Sequence, residues 1–458
     1  MKYEFDLLVI GSGSAGFSAA QAAKGSGRKI GIVESDRLGG ECPNWACVPT
    51  KTLLKSARLY REILRAEEFG VTVNDVRLDF GAVMRRRSDL VGSLGGERIE
   101  KIADTMGFHL LRGAATFLDE HTVQVGERQH TAQAFVIATG AGTFVPPIPG
   151  LDAVSWMRFR DAVMLNEAPE SLLIIGGGPV GCEFATFFSA VGTRVTMLHG
   201  LDRLLSREEP EASEVIEDAL KTMGVEVITG AEVIRVDRNG ERVKAKVRVG
   251  KEIKTFEAMS LLLATGKQAN TAGLCCQAAG VKLSPRGEVM VNLELKTTAK
   301  NIWAAGDVNG GLQFTHTSHY EGAIAGHNVF ASKETRRVDE RVVPRVTFTN
   351  PECASVGMTE AEVREKYDGV LVGFFEFSGL GRAYIEGAQT GFVKVVGDPK
   401  TGRLLGGHCV GERAGEVVHE LAIALQLKAR VTDLAETIHA YPTYSEAVTA
   451  AASVAEVK

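Results

Sequence analysis

Asp6-Leu7-Leu8-Val9-Ile10-Gly11-Ser12-Gly13-Ser14-Ala15-Gly16 reads as a short apolar strand running into a glycine-rich turn. A helix of small residues is expected to about Lys24, and a second strand, Lys29 to Val33, ends in Glu34. Gly11, Gly13 and Gly16 permit a tight turn, close approach of backbone to a pyrophosphate, and close helix-strand packing. The helix start then offers unpaired N–H groups to phosphate. A single pattern of this kind is weak evidence, because glycine-rich turns are common. This chain carries it twice. Leu172 to Ile175, Gly176-Gly177-Gly178-Pro179-Val180-Gly181, a helix and the strand Arg194 to Leu198 repeat the plan. The first copy also has its acid, Glu34, about 20 residues on.

Each copy is closed by a similar downstream strand, Phe135 to Gly140 after the first and Leu261 to Gly266 after the second. A third strand, Asn301 to Ala305, ends in Gly306-Asp307. A carboxylate at that end of an open α/β sheet suits a hydroxyl of a ribose-like chain.

Composition agrees with a large enzyme. The 458 residues are 45% hydrophobic and 24% charged, enough to bury large cores in about three domains. A formal net charge of −5 gives no reason to expect a nucleic-acid partner. Arg85-Arg86-Arg87 is read as a solvated helix face. The start of the chain leads into an apolar strand and not a secretory signal, so a cytoplasmic protein is expected. Seven scattered cysteines do not make a secreted disulfide framework. Leu172 to Val191 would pass a hydropathy window for a membrane span. Its glycines, Pro179 and Glu183 instead indicate a buried strand, turn and helix, with no membrane partner.

Two thiols stand apart from the other five. Gly39-Gly40-Glu41-Cys42-Pro43-Asn44-Trp45-Ala46-Cys47-Val48-Pro49-Thr50-Lys51 opens five residues after Glu34, so Cys42 and Cys47 are delivered to the place where a dinucleotide must lie. A pair cycling between dithiol and disulfide beside a two-electron cofactor is a redox relay. Five residues of regular helix would separate the Cα atoms by about 7.5 Å, whereas a bridge wants roughly 4.4–6.8 Å. Distorted backbone is therefore expected between them, and a thiolate at a helix start would have a lowered pKa. Cys182, Cys275, Cys276, Cys353 and Cys409 are read as core or surface filler, and no metal site is expected.

With these motifs in hand, the chain resembles the class I pyridine nucleotide-disulfide oxidoreductases, the family of dihydrolipoamide dehydrogenase, glutathione reductase and mercuric reductase. The likeness runs over essentially the whole length, including Ala264-Thr265-Gly266-Lys267-Gln268-Ala269-Asn270-Thr271 and Val343 to Glu352. It implies an α/β fold of two nested Rossmann-like dinucleotide-binding domains plus an α+β carboxy-terminal dimerisation domain. The boundaries expected are 1–150 and 269–338 for the FAD-binding domain, 151–268 for the nicotinamide domain and 339–458 for dimerisation. FAD contacts carried over are Gly11, Gly13, Gly16, Glu34, Gly40, Lys51, Ala115, Thr139, Gly140, Asp307 and His316. Nicotinamide contacts carried over are Gly176, Gly178, Gly181, Glu183, Val233 and Gly266. Cys47 becomes the flavin-side thiol, Cys42 the exposed interchange thiol, and Glu183 the partner of Lys51. A homodimer with shared active sites is implied, in which Tyr441 to Glu446 completes the partner's site.

One departure bears on substrate. The carboxy-terminal signature is Ile438-His439-Ala440-Tyr441-Pro442-Thr443-Tyr444-Ser445-Glu446. The family's acid-base histidine directly precedes Pro-Thr and is oriented by the glutamate matching Glu446; here that position is Tyr441. A phenol with pKa about 10 cannot replace an imidazole near 6.5 as a base at neutral pH. His439, two residues earlier, is the other candidate for proton transfer and is read as structural. The acceptor expected is therefore a small-molecule or protein disulfide, or a metal-thiolate, and not a simple dithiol. The alternatives are a dihydrolipoamide dehydrogenase of a lipoyl complex, a mercuric reductase-like enzyme, and a diaphorase serving quinones or oxygen. Mercuric reductases carry a tyrosine in this region but also a terminal vicinal cysteine pair, which Ala450 to Lys458 lacks. The donor is NADPH or NADH. With His199 in place of an acid after Leu198, and Arg203 and Arg207 beyond, NADPH is favoured.

Overall fold

The computed structural model describes residues 3–25, 27–331 and 333–458. The chain forms two compact units. The first gathers Met1–Thr52, Ala82–Phe144 and Gly266–Asp339, the second Leu53–Gly81, Val145–Thr265 and Glu340–Lys458.

In the first unit, parallel strands run His109–Arg112, Ile30–Glu34, Phe5–Ile10, Arg128–Ile137, with Ile302–Ala304 on the far side of Arg128–Ile137. Leu7 pairs with Ile30, Leu8 with Phe135 and Trp303 with Val136. Continuous apolar runs such as Leu7-Leu8-Val9-Ile10 suit strands covered on both faces, and all four are buried. The expected small-residue helix is Ser14–Lys24. Its small residues let a second helix, Thr315–Asn328, come very close. A Cβ on Gly322 would stand 2.1 Å from the Ala15 carbonyl oxygen, and one on Gly326 2.1 Å from that of Ala19.

The second unit repeats the motif with four parallel strands in the order Glu226–Ile228, Arg194–Leu198, Ser171–Ile175, Ser260–Leu263. Leu172 to Val191 is the buried strand, turn and helix expected, the helix being Pro179–Ala190. Beyond the repeat lies a six-stranded antiparallel sheet ordered Arg345–Thr347, Glu352–Gly357, Leu404–Gly411, Phe392–Gly397, Leu371–Glu376, Glu456–Val457. The helix Ala414–Gln426 buries Val418, Leu421 and Leu425 against it and leaves Ile423 exposed. No described helix is long and apolar enough to cross a membrane.

The duplication extends to individual hydrogen bonds. Gly11 N–H donates to Val33 O (2.8 Å) and Ala138 N–H to Ile10 O (2.8 Å). Gly176 N–H donates to Leu198 O (2.9 Å) and Ala264 N–H to Ile175 O (2.8 Å). The basic run departs from expectation: Arg85 and Arg86 are exposed, but Arg87 is buried on the inner face of Phe80–Leu94. Burial first, and then Arg37, lowers its guanidinium pKa.

Candidate active site

The phosphate-type turn of the first unit is shaped by steric exclusion. Gly11 takes φ +104°, and a Cβ there would stand 2.2 Å from the Ala138 carbonyl oxygen. A Cβ on Gly16 would meet the Gly11 oxygen at 1.9 Å. Glu34 organises the loop beside it, accepting from Ser12 N–H (3.0 Å), Ser12 Oγ (2.5 Å) and Asp36 N–H (2.8 Å). Ala115 starts a strand close by, since Gly113 N–H donates to Glu34 O (2.8 Å).

The cysteine loop returns to this turn. Gly40 has φ +67°, and a Cβ on it would sit 2.8 Å from Gly13 Cα, so the two glycines face each other with no room for side chains. Cys42 lies on the short helix Glu41–Asn44, and Cys47 starts the helix Cys47–Leu64. Between them the backbone leaves helical geometry at Trp45 (φ −134°, ψ −20°), the expected distortion. Both cysteines are half-buried free thiols. Cys47 Sγ lies 3.3 Å from Thr315 Oγ1, while Cys42 shares a thiol–thiol hydrogen bond with Cys47.

At Cys42 the direction is opposite to the lowering expected at a helix start. The hydrogen bond to Cys47 and burial hold the Cys42 thiol well above its ordinary value, against the opposing pulls of Thr315 and Lys51. A helix of four residues has too little dipole to reverse this.

Other carried-over residues of this unit gather at the strand ends. Thr139 keeps a buried Oγ1 without a hydrogen-bond partner among the described residues, and Gly140 takes φ +69°. Asp307 follows Ile302–Ala304 and accepts from Ser318 Oγ (3.2 Å) and Lys267 Nζ (3.0 Å). His316 stacks on Phe314, ring centroids 5.4 Å apart. The orphaned Thr139 hydroxyl, the uncapped start of Ser14–Lys24 and the glycine cradle fit a dinucleotide with a pyrophosphate. The reading from sequence missed three contributors: Ser12, Thr315 and the Glu41–Lys267 pair (2.7 Å). An acid directly before Cys42 was the available signal for the last.

In the second unit, Gly176 takes φ +117° and a Cβ would meet the Ala264 oxygen at 2.2 Å; for Gly181 the clash is with the Gly176 oxygen at 2.0 Å. Gly178 precedes the helix start with open space, and Gly266 takes φ +105° in the first unit. His199 stands where Glu34 stands in the first repeat. Its Nδ1 accepts Gly177 N–H (3.0 Å), and burial lowers its pKa, so the ring is a neutral acceptor. Val233 lies on the strand Ala231–Asn239, which begins beside His199. Glu183 is buried, with Oε1 accepting Phe348 N–H (3.0 Å).

Arg203 corrects part of the nucleotide argument. Its guanidinium donates to the Glu208 and Ser206 carbonyls and to Ser213 Oγ, so it is committed to holding a turn. Arg207 is exposed.

The carboxy-terminal signature lies on an open loop. Tyr441 is 79% exposed, with its ring over Gly381. Glu446 accepts Thr443 N–H (2.8 Å). His439 has both ring nitrogens engaged, Nε2 with Glu420 (2.6 Å) and Nδ1 with Thr449 Oγ1 (2.6 Å) and the Thr437 carbonyl (3.0 Å). It staples the loop and points no free nitrogen outward.

Against known proteins, the family model "Pyridine nucleotide-disulphide oxidoreductase" matches residues 5–322. The chain belongs to that family. The model of the family's dimerisation domain matches residues 343–452, which supports a homodimer. A mercuric reductase of Streptomyces lividans is 37% identical over 98% of this chain and 95% of its own length. A dihydrolipoyl dehydrogenase of Chlorobaculum tepidum is 37% identical over 98% and 96%. Among solved structures, the Cu(II) complex of the HOCl-induced flavoprotein disulfide reductase RclA from Escherichia coli superposes with a TM-score of 0.87 at 30% identity, covering 99% of this chain and 100% of that one. The protein is thus an FAD-dependent NAD(P)H oxidoreductase of the disulfide-reductase type.

Proposed function

We propose that this enzyme carries reducing equivalents from NADPH through FAD to the Cys42–Cys47 pair and on to a disulfide or metal-thiolate acceptor. The observation that carries the reading is the placement of Cys42 and Cys47 on one loop whose Gly40 abuts Gly13 of the phosphate-type turn. FAD, when bound, supplies the two-electron step between nicotinamide and disulfide. Gly11, Gly13, Gly16 and Gly40 would leave room for it, and Glu34, Lys51, Ala115, Thr139, Gly140, Asp307 and His316 would contact it. Gly176, Gly178, Gly181, Glu183, His199, Val233 and Gly266 serve the nicotinamide nucleotide. On this reading residues 1–150 and 269–338 hold FAD, 151–268 the donor, and 339–458 the dimer contact.

Cys47 takes the flavin-side role and Cys42 the interchange role. The reduced pair gives Cys42 as nucleophile; its sulfur attacks the acceptor disulfide, releasing one thiol and leaving a mixed disulfide. Cys47 then attacks Cys42, releasing the second thiol and restoring the Cys42–Cys47 bond. Per turnover NADPH and one proton are consumed and two thiols are made.

Tyr441 is read as the residue that meets the acceptor in a site completed by a second subunit, with Glu446 holding its loop and His439 acting structurally. With no imidazole at Tyr441, acceptors that need no thiol proton shuttled fit best. The names of the mercuric reductase and of the copper-bound RclA relative support a thiophilic metal species among the candidates. NADPH is favoured over NADH because His199, a neutral acceptor, replaces a carboxylate that would repel a 2′-phosphate. A cytoplasmic location suits reduced cysteines.

The test is a panel of disulfides, dihydrolipoamide and thiol-complexed Hg(II) and Cu(II), assayed for NADPH oxidation with wild type and Cys42→Ala. The reading expects Cys42-dependent turnover of a disulfide or metal-thiolate. Full activity of Cys42→Ala towards every accepted substrate would refute it.

A further inference from the structure

We propose that Lys267 is a positioning residue, fixing the turn that carries the interchange thiol to the strand end assigned to FAD. This rests on the relay reading above. Lys267 opens the strand Lys267–Ala269, which pairs with Ala141–Thr143 in antiparallel register, Lys267 opposite Thr143. The strand is anchored at both ends: Phe144 N–H donates to Gly266 O (2.9 Å) and Asn270 Nδ2 to Thr139 O (3.0 Å). From this fixed base the ammonium reaches Glu41 Oε2 at 2.7 Å and Asp307 Oδ2 at 3.0 Å.

Glu41 directly precedes Cys42 and is the first residue of the helix Glu41–Asn44. Four residues cannot sustain a helix by themselves, since nucleation is unfavourable and propagation has not begun. Side-chain tethers must therefore set the orientation of this turn. Asn44 supplies one at its end, donating to the Leu38 (2.9 Å) and Gly40 (2.8 Å) carbonyls. The Glu41–Lys267 pair supplies the other, at its start.

Two charge-assisted contacts to one ammonium are stronger than neutral hydrogen bonds. Burial would weaken the lysine's hold on its proton, but the two carboxylates outweigh it and keep Lys267 charged. The link to Cys42 runs through Glu41, and the link to the cofactor through Asp307.

The experiment uses flavin-loaded protein reduced with dithiothreitol. Iodoacetamide labelling of Cys42 is timed by mass spectrometry, and flavin release on dilution is followed by fluorescence. Glu41→Gln and Lys267→Met should each speed Cys42 labelling by about fivefold or more. The double variant should match the singles, because both cut one link. Flavin release should quicken in Lys267→Met and not in Glu41→Gln, and Lys267→Arg should restore both readouts towards wild type. Unchanged Cys42 labelling in both single variants, or fully additive effects, would overturn the proposal. If Lys267→Met retains no flavin, Glu41→Gln decides alone by the same labelling criterion. Chemical reduction makes this measurement independent of the relay. A relay that failed with NADPH would show instead as a Cys42–Cys47 pair in wild type that NADPH cannot open.

Discussion

At Gly11 and Gly176 the backbone conformation is left-handed and a carbonyl oxygen occupies the space a methyl group would need. Alanine at either site is strained twice over, in φ and in packing. Gly11→Ala is expected to purify with at least about tenfold weaker flavin binding, a factor equal to about 1.4 kcal/mol. Gly176→Ala should keep its flavin and lose affinity for the nicotinamide nucleotide. Absorbance at the flavin band and calorimetric titration with NADP+ separate the two outcomes. Tyr441 carries the second prediction at this scale. Tyr441→His should raise dihydrolipoamide turnover by about 10²-fold or more, with a pH profile that climbs through about 6.5. A flat response would remove Tyr441 from the acceptor site.

Elements are joined by buried charge in the second unit. Lys394, on the strand Phe392–Gly397, is almost fully buried and places its ammonium 3.0 Å from Glu209, 2.8 Å from Glu211 and 2.8 Å from Glu360. Lys394→Met would leave three carboxylates together without their cation, and a loss of about 3–5 kcal/mol is expected, read by denaturant unfolding. His408, on Leu404–Gly411, is buried with Nε2 donating to Met358 O (3.1 Å), and burial lowers its pKa. Above about pH 6.5 the ring is neutral folded or unfolded and contributes no pH dependence. As pH falls through that value the unfolded chain takes up a proton that the fold resists, so stability is lost on acidification. The fall in Tm from pH 7.5 to 5.5 should shrink in His408→Gln.

Across the whole molecule, the parts legible in the sequence are those whose physics is local. The repeated strand, glycine turn and helix follow from apolar runs and small residues at fixed offsets, and both copies form with matching hydrogen bonds. The break between Cys42 and Cys47 followed from helix geometry alone. Side-chain partners set by distant segments were not legible. Arg203 looks free in sequence and is committed to its own turn, and Arg87 looks solvated and lies buried. The thiol–thiol contact, which overrides a helix-start effect at Cys42, likewise depends on where the loop folds. Glu41 and Lys267, 226 residues apart, meet only because the first unit pairs Ala141–Thr143 with a strand from beyond the second repeat.

The central claim is that Cys42 and Cys47 receive the electrons of the nicotinamide nucleotide. It is tested most directly by blocking free thiols of the air-oxidised holoenzyme, adding NADPH without oxygen, and mapping newly alkylated cysteines by mass spectrometry. The account predicts new label at Cys42 and Cys47, with Cys182, Cys353 and Cys409 protected by burial. Bleaching of the flavin with no new label at either Cys42 or Cys47 would contradict it.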